Sequence, residues 1–295
     1  MIKDLFQTQC PALLMAYLVC ATSLLGSCAN NSADSPPGYN IHKARSTELG
    51  KVLNEISGIF YHAGDSSLLA ISDNQEKIIE IGLKKNKLRD VTGKVVDKGS
   101  DLEDIVMVNS TIFILKSIGE VKAVFPGAPD SSQVITYSLP ISGKNDFETM
   151  YFDSSLKALI LICKSCEHEK GSGLRSAYKF DLDTRKFDTS VFFRVSQKQV
   201  EEILKDSDAD LSPSAAAIHP VTQQLFILSS AGNLLVVADR NGKVISAYKL
   251  NPDTFQQAEG IAFAPDGDMY ISNEGKLGKP TLLYFPYNPA AKKNK

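Results

Sequence analysis

Glu103, Glu148 and Glu259 each lead into an apolar stretch, and a second apolar stretch ends 13 or 15 residues on, at Lys116, Cys163 and Ser272. In two further copies Ser57 and Ser214 take the leading place, and the second stretch ends 15 residues on, at Ser72 and Ser229. Carboxylates gathered at equivalent positions repel unless something neutralises them. A hard divalent cation with oxygen ligands, Ca2+ foremost, would do so and would accept hydroxyl and carbonyl oxygens as well. Two internal arrangements compete with it. Lys116 and Lys164 can pair with Glu103 and Glu148, or each Glu can accept hydrogen bonds from neighbouring backbone.

Cys163-Lys164-Ser165-Cys166 is the other motif with chemistry in it. A thioredoxin-like redox role needs the first cysteine at a helix N-terminus, whereas here it follows the strand-like run ALILI. Zinc could take Cys163, Cys166 and His168, but no second CxxC completes the set. A local disulfide, or a pair of passive thiols, is the third reading. His62 and His219 fall between first and second stretches, away from the glutamates, where residues serve turns. No Ser, His and acid fall together, so a hydrolytic triad has no support.

The leading residues lie 46, 45, 66 and 45 apart, the spacing of a four-stranded propeller blade. The expected fold is all-β, a five-bladed propeller, with six blades as the alternative if the long interval hides another. In such a fold the first strand of each blade lines a central channel and the second runs antiparallel beside it. Glu103, Glu148, Glu259, Ser57 and Ser214 then share one channel mouth. Beside them come Ser72, Lys116, Cys163, Ser229 and Ser272, and one residue further Asp73, Ser117, Lys164, Ser230 and Asn273, followed by Glu274. Glu55 and Asp101 lie just upstream of the first ring. The fifth copy is one strand short, and the segment 39–49 can supply that strand and close the ring. One helix is expected over QKQVEEILKD, with Val200, Ile203 and Leu204 on one stripe and Ser196 as N-cap.

Hydrophobic residues make up 43% of the chain, ample for a packed core, and a formal net charge of −2 gives no basic footprint for nucleic acid. Residues 1–27 read as a signal peptide: Lys3, then an apolar run from Ala12 to Leu25 too short to span a bilayer comfortably. The run ends in Leu25-Gly26-Ser27-Cys28, which resembles a bacterial lipobox, so Cys28 is the expected lipidation site and the lipid the expected link to the membrane. Residues 28–38 read as a flexible tether and 39–295 as the propeller domain. Alanine at position 29 directs the expectation to the outer membrane of the cell envelope.

The segments EISGI at Glu55, DLEDI at Asp101, DFETM at Asp146, LSPSAAAIHP at Leu211 and QAEGIAFAPDGDMYISNEG at Gln257 together resemble the SdiA-regulated family, exported bacterial propellers distantly similar to NHL-repeat proteins. The resemblance implies five blades and a calcium site at the channel, with Glu103, Glu148 and Glu259 as ligands and Glu55 and Glu274 as further ones. Ser57 and Ser214 break the acidic pattern. The family carries no settled activity. Two functions remain: a lipid-anchored module that binds a ligand or envelope partner, and a calcium-dependent hydrolase of the phosphoesterase or lactonase type.

Overall fold

Short apolar runs punctuated by Gly, Asn and Asp turns fold here into five antiparallel sheets. The computed structural model describes residues 34–73, 77–85, 87–91, 101–125, 134–276 and 278–290; Cys28 and the signal segment lie outside them. Strand β1 (Arg45–Glu48) precedes blade one, which holds β2 (Ile56–His62), β3 (Ser67–Ser72), β4 (Lys77–Gly82) and β5 (Lys87–Asp90). Blade two holds β6 (Leu102–Val108), β7 (Thr111–Lys116), β8 (Glu120–Val124) and β9 (Val134–Ser138). Blade three holds β10 (Asn145–Asp153), β11 (Ala158–Cys166), β12 (Leu174–Asp181), and an outer edge split into β13 (Lys186–Phe187) and β14 (Phe193–Ser196). Helix α1 (Gln197–Leu204) follows. Blade four holds β15 (Pro213–Ile218), β16 (Leu225–Ser229), β17 (Leu234–Ala238) and β18 (Val244–Lys249). Blade five holds β19 (Ala258–Phe263), β20 (Met269–Asn273) and β21 (Thr281–Phe285). Its fourth strand is β1, which pairs with β21 from Arg45 opposite Tyr284 to Glu48 opposite Thr281. The ring is thus closed by strands from both ends, five blades and not six.

The inner strands β2, β6, β10, β15 and β19 each contact the next around the ring, β19 meeting β2. The core is divided accordingly into five apolar clusters, one at each interface between blades. Side chains alternate across a strand, so a blade buried on both faces needs apolar residues at every position. In ALILI, Leu159 and Leu161 pack toward blade two while Ala158, Ile160 and Ile162 pack toward blade four. That is why the middle strands read as unbroken apolar runs.

Polar stitches join the blades as well. Asp104 is buried and accepts hydrogen bonds from the Ile105 and Met150 amides, both 2.8 Å, tying blade two to blade three. Burial holds its carboxyl well above the usual aspartate range. At the far end of β10, buried Asp153 receives the Arg240 guanidinium from the β17–β18 turn: Nε donates to Oδ2 at 3.0 Å and a terminal nitrogen to Oδ1. Gly58 stands where blade one approaches Asp104. A Cβ there would lie 2.6 Å from the Asp104 Cα and 2.9 Å from the Ile105 amide nitrogen. Gly58→Ala is expected to destabilise the protein by about 2–3 kcal/mol, because only backbone movement relieves the clash. Urea unfolding checks it, and a loss under about 0.5 kcal/mol would refute the close approach.

The segment before β1 is seated at the turn end of blades four and five. Tyr39 donates to the Gly267 carbonyl, and its hydroxyl oxygen lies 2.6 Å from His219 Nε2. His219 Nδ1 accepts the Val221 and Thr222 amides at 3.1 and 3.0 Å, so the proton sits on Nε2 and is donated to Tyr39. Burial pushes the imidazole down to about 4, keeping it neutral. The Asn288 amide donates to the Gly38 carbonyl at 2.8 Å. Helix α1 packs on β18, the outer strand of blade four, with Val200 buried. Ser196 occupies the N-cap position but its side chain makes no cap hydrogen bond.

Candidate functional site: the acidic channel mouth

Every inner strand carries a register irregularity at the same end, and β10 carries a second one between Asp146 and Phe147. The register shifts between Ile56 and Ile59, Leu102 and Asp104, Phe147 and Thr149, Pro213 and Ala215, and Ala258 and Gly260. The residues passed over are Ser57 with Gly58, Glu103, Glu148, Ser214 and Glu259. A β-bulge leaves the extra residue unpaired and re-aims its side chain. Here five bulges aim five side chains into one cavity of about 140 Å3, lined by Ser57, Glu103, Glu148, Lys164, Ser214, Gln257, Glu259, Glu274 and Lys276. The opposite half of the channel is apolar, a funnel of about 340 Å3 that includes Ile59, Val106, Met150, Ala216 and Ile261. The channel therefore has one acidic end and one apolar end.

Four carboxylates and two ammonium groups share the small cavity. Lys164 is ion-paired with Glu148 Oε1, and Lys276 lies 3.1 Å from Glu274 Oε2. Two negative charges remain unbalanced when all six groups are ionised. Burial, then the charges of Glu148, Asp101 and Asp146, pushes the Glu103 carboxyl up to about 9. Burial, with Glu148 and Glu274 beside it, pushes Glu259 up to about 8, against the Ser230 hydroxyl and Lys164. Glu148 and Glu274 are raised chiefly by burial, each partly countered by its lysine. Glu148 Oε2 is buried and has no hydrogen-bond partner. Cys163 and Cys166 form a disulfide, Cα atoms 6.1 Å apart, and Lys164 is presented from within the loop it closes. With their sulfurs joined, neither cysteine is available to zinc.

The remaining sequence-derived candidates stand elsewhere. Lys116 turns to Glu120 at 3.3 Å, within its own hairpin, rather than to Glu103. Asp73 accepts the Leu102 amide at 2.9 Å and stitches blade one to blade two. Ser72, Ser229 and Ser272 are fully buried at the ends of second strands. Ser229 donates to the Asp210 carbonyl and accepts the Ser212 amide, both 2.8 Å, and Ser272 donates to the Ser57 carbonyl at 3.4 Å. The Asn273 amide points outward to the Thr254 carbonyl and Thr281 Oγ1. Glu55 is not among the lining residues; its charge acts on Glu274 and Lys276 from the rim. Gln257 and Lys276 line the cavity, and the repeat pattern missed both because neither is on a strand: Gln257 immediately precedes β19 and Lys276 lies in the β20–β21 connection. Lys276 follows Glu274 by two residues, which is the signal that could have found it.

Among the described residues, His, Cys, Asp and Glu ligand atoms converge within 4.8 Å of one another at Cys163–Cys166–Glu169 and at His62–Asp65–Glu80. The mouth carboxylates are more widely spread, as uncompensated like charges would be. At the blade-one turn, Glu80 already holds Ser67 and Arg89.

These features define a five-bladed β-propeller with a bulge-built acidic mouth. The SdiA-regulated family model matches residues 177–285, from the third strand of blade three to the end of blade five. No curated protein sequence matches the chain. Glutaminyl cyclase from Myxococcus xanthus is similar in structure, with a TM-score of 0.53, 12% identity, and coverage of 83% of this chain and 95% of that one. A gluconolactonase from Xanthomonas campestris gives a TM-score of 0.52 at 12% identity over 87% and 97%. The chain spans 65% of a streptogramin B lyase, which matches 79% of it at 12% identity and a TM-score of 0.43. At such identities the likeness is one of fold.

Proposed function

We propose that the protein is a lipid-anchored module of the bacterial cell envelope, held through Cys28 at the outer membrane, whose acidic mouth binds Ca2+ and through it a ligand or envelope partner. The observation that supports this reading is the set of five bulged residues aimed into one cavity, three of them glutamates. The donor set is all hard oxygen, as Ca2+ prefers, and its unbalanced charge matches one divalent ion. The orphaned Glu148 Oε2 is a ready ligand atom. Glu103, Glu148 and Glu259 would hold the ion, with Glu274 beside them. They would have to draw closer than they stand, and Lys164 would have to yield part of its hold on Glu148. A bound ion would supply charge neutralisation and open positions for oxygen atoms of a ligand. The protein's own contribution is to hold Glu103, Glu148 and Glu259 at the bulges of its inner strands.

Isothermal calorimetry with CaCl2 on chelator-treated protein tests the reading. Single-site binding is expected, weakened roughly tenfold or more by Glu103→Gln or Glu259→Gln while folding is retained. Absence of calcium binding by the unaltered protein would sink it. The hydrolase reading keeps one supporting observation: Glu103, held protonated near neutral pH, stands in the same cavity as the Glu148–Lys164 pair, an acid beside a charged partner. Turnover of a lactone or phosphoester panel, abolished by Glu148→Gln, would favour it over the binding module.

A further inference from the structure

On the face away from the acidic mouth, blades two and three part to leave a second cavity of about 620 Å3. That size falls within the roughly 300–1,000 Å3 typical of small-molecule sites. Its wall is built from Met107, Phe113, Phe125, Tyr137, Phe152 and Phe180. Tyr137 and Phe180 pack ring to ring, centroids 4.8 Å apart, and Phe187 braces Phe180 from behind at 4.9 Å. The wall is therefore preformed. Met107, Phe125, Tyr137 and Phe152 nonetheless remain partly exposed, although apolar surface of this kind is ordinarily covered.

The rim carries three charged side chains: Lys157, Asp183 and Arg185. Lys157 and Asp183 satisfy each other at 3.2 Å. Arg185 lies over the Phe125 ring, 5.6 Å from its centroid, and has no carboxylate within ion-pair distance among the described residues. Lys157 and Arg185 both occupy left-handed turn positions, φ 49° and 55°, so turn geometry fixes the places from which the two cations project. An aromatic wall whose lip carries a guanidinium with no carboxylate partner among the described residues is complementary to a molecule with an apolar body and a single anionic head.

We propose that this cavity is a binding site for a small anionic amphiphile, a medium-chain acyl carboxylate in class, with its chain against Phe125, Phe152 and Phe180 and its head group on Arg185. The site is separate from the acidic mouth, because the two lie at opposite ends of the inner strands. Dodecanoate is the probe, dodecylamine its cationic comparator, and titration calorimetry of the full chain the measurement. One dodecanoate per chain is expected, bound at least about tenfold more tightly than dodecylamine, the effect of one charge-assisted contact. Arg185→Glu, an exposed substitution expected to leave the melting temperature unchanged, should reverse that preference. Val108→Trp, which fills the cavity, should weaken both ligands. Glu148→Gln should leave dodecanoate binding unaltered, which separates this site from the mouth. No binding by the unaltered protein, or equal dodecanoate affinity in the unaltered and Arg185→Glu proteins, overturns the proposal. If Val108→Trp fails to fold, the Arg185→Glu comparison decides alone.

Discussion

Stripped of divalent cations, the protein is expected to lose melting temperature as pH rises from about 5 to about 9, and calcium is expected to restore it. The cause lies in Glu103 and Glu259, whose carboxyls are pushed up to about 9 and about 8 by burial among like charges. In the unfolded chain both titrate in the ordinary glutamate range. Between those values the folded protein holds more protons than the unfolded one, so the contribution is fully present below the ordinary glutamate range, falls progressively as pH rises, and is gone once pH has passed through about 8 to about 9. A cation in the mouth replaces those protons and removes the slope. With free calcium at 100 times its dissociation constant the stabilisation is about 2.7 kcal/mol. Glu103→Gln should make the cation-free profile shallower, since the amide has no proton to lose and only the Glu259 contribution remains. Differential scanning fluorimetry across the pH range reads all three. A profile that is flat without cation, or one that calcium leaves unchanged, would count against the mouth as described.

Arg240→Ala is expected to cost about 2–3 kcal/mol in urea unfolding. Asp153 is buried, and Arg240 reaches it from the neighbouring blade with two nitrogens. Removing the guanidinium strands the carboxylate in a site water reaches poorly. The cost stays below that of a naked buried charge because the Ser155 and Leu156 amides, both 3.0 Å away, still donate to Asp153. Asp153→Asn combined with Arg240→Ala should recover about half of the loss, since the neutral amide needs no counter-charge. A double variant no more stable than Arg240→Ala alone would show that packing, not charge, holds the interface.

The blade count and the closure by β1 could be read from the chain because a propeller repeats one hydrophobic grammar at near-constant spacing. The convergence of Glu103, Glu148 and Glu259 followed from the same alignment. The five bulges could not be read, because the extra residue leaves strand length and alternation almost unchanged. They are visible only as a register shift against the second strand. The second-ring residues illustrate the limit further. Ser229 and Ser272 share a ring position with Lys116, yet the serines bond backbone and Lys116 turns to Glu120, four residues on in its own hairpin. Repeat position fixes where a Cα stands; the partner within reach decides where a polar side chain goes. Asn273 and Glu274 are neighbours in sequence and diverge for the alternation reason, one outward to Thr281 and one into the mouth.

The seating of Tyr39 also governs how the molecule bears a pull. Ring closure rests on one four-residue strand, β1, on the outer edge of blade five. Tension applied upstream reaches Tyr39 and Gly38 first, where the Gly267 carbonyl, His219 and the Asn288 amide share the load between blades four and five. The closing strand is therefore shielded from being peeled off one hydrogen bond at a time. The turn around Tyr39 acts as a strain relief, like the clamp that keeps a tugged cable from working its plug loose.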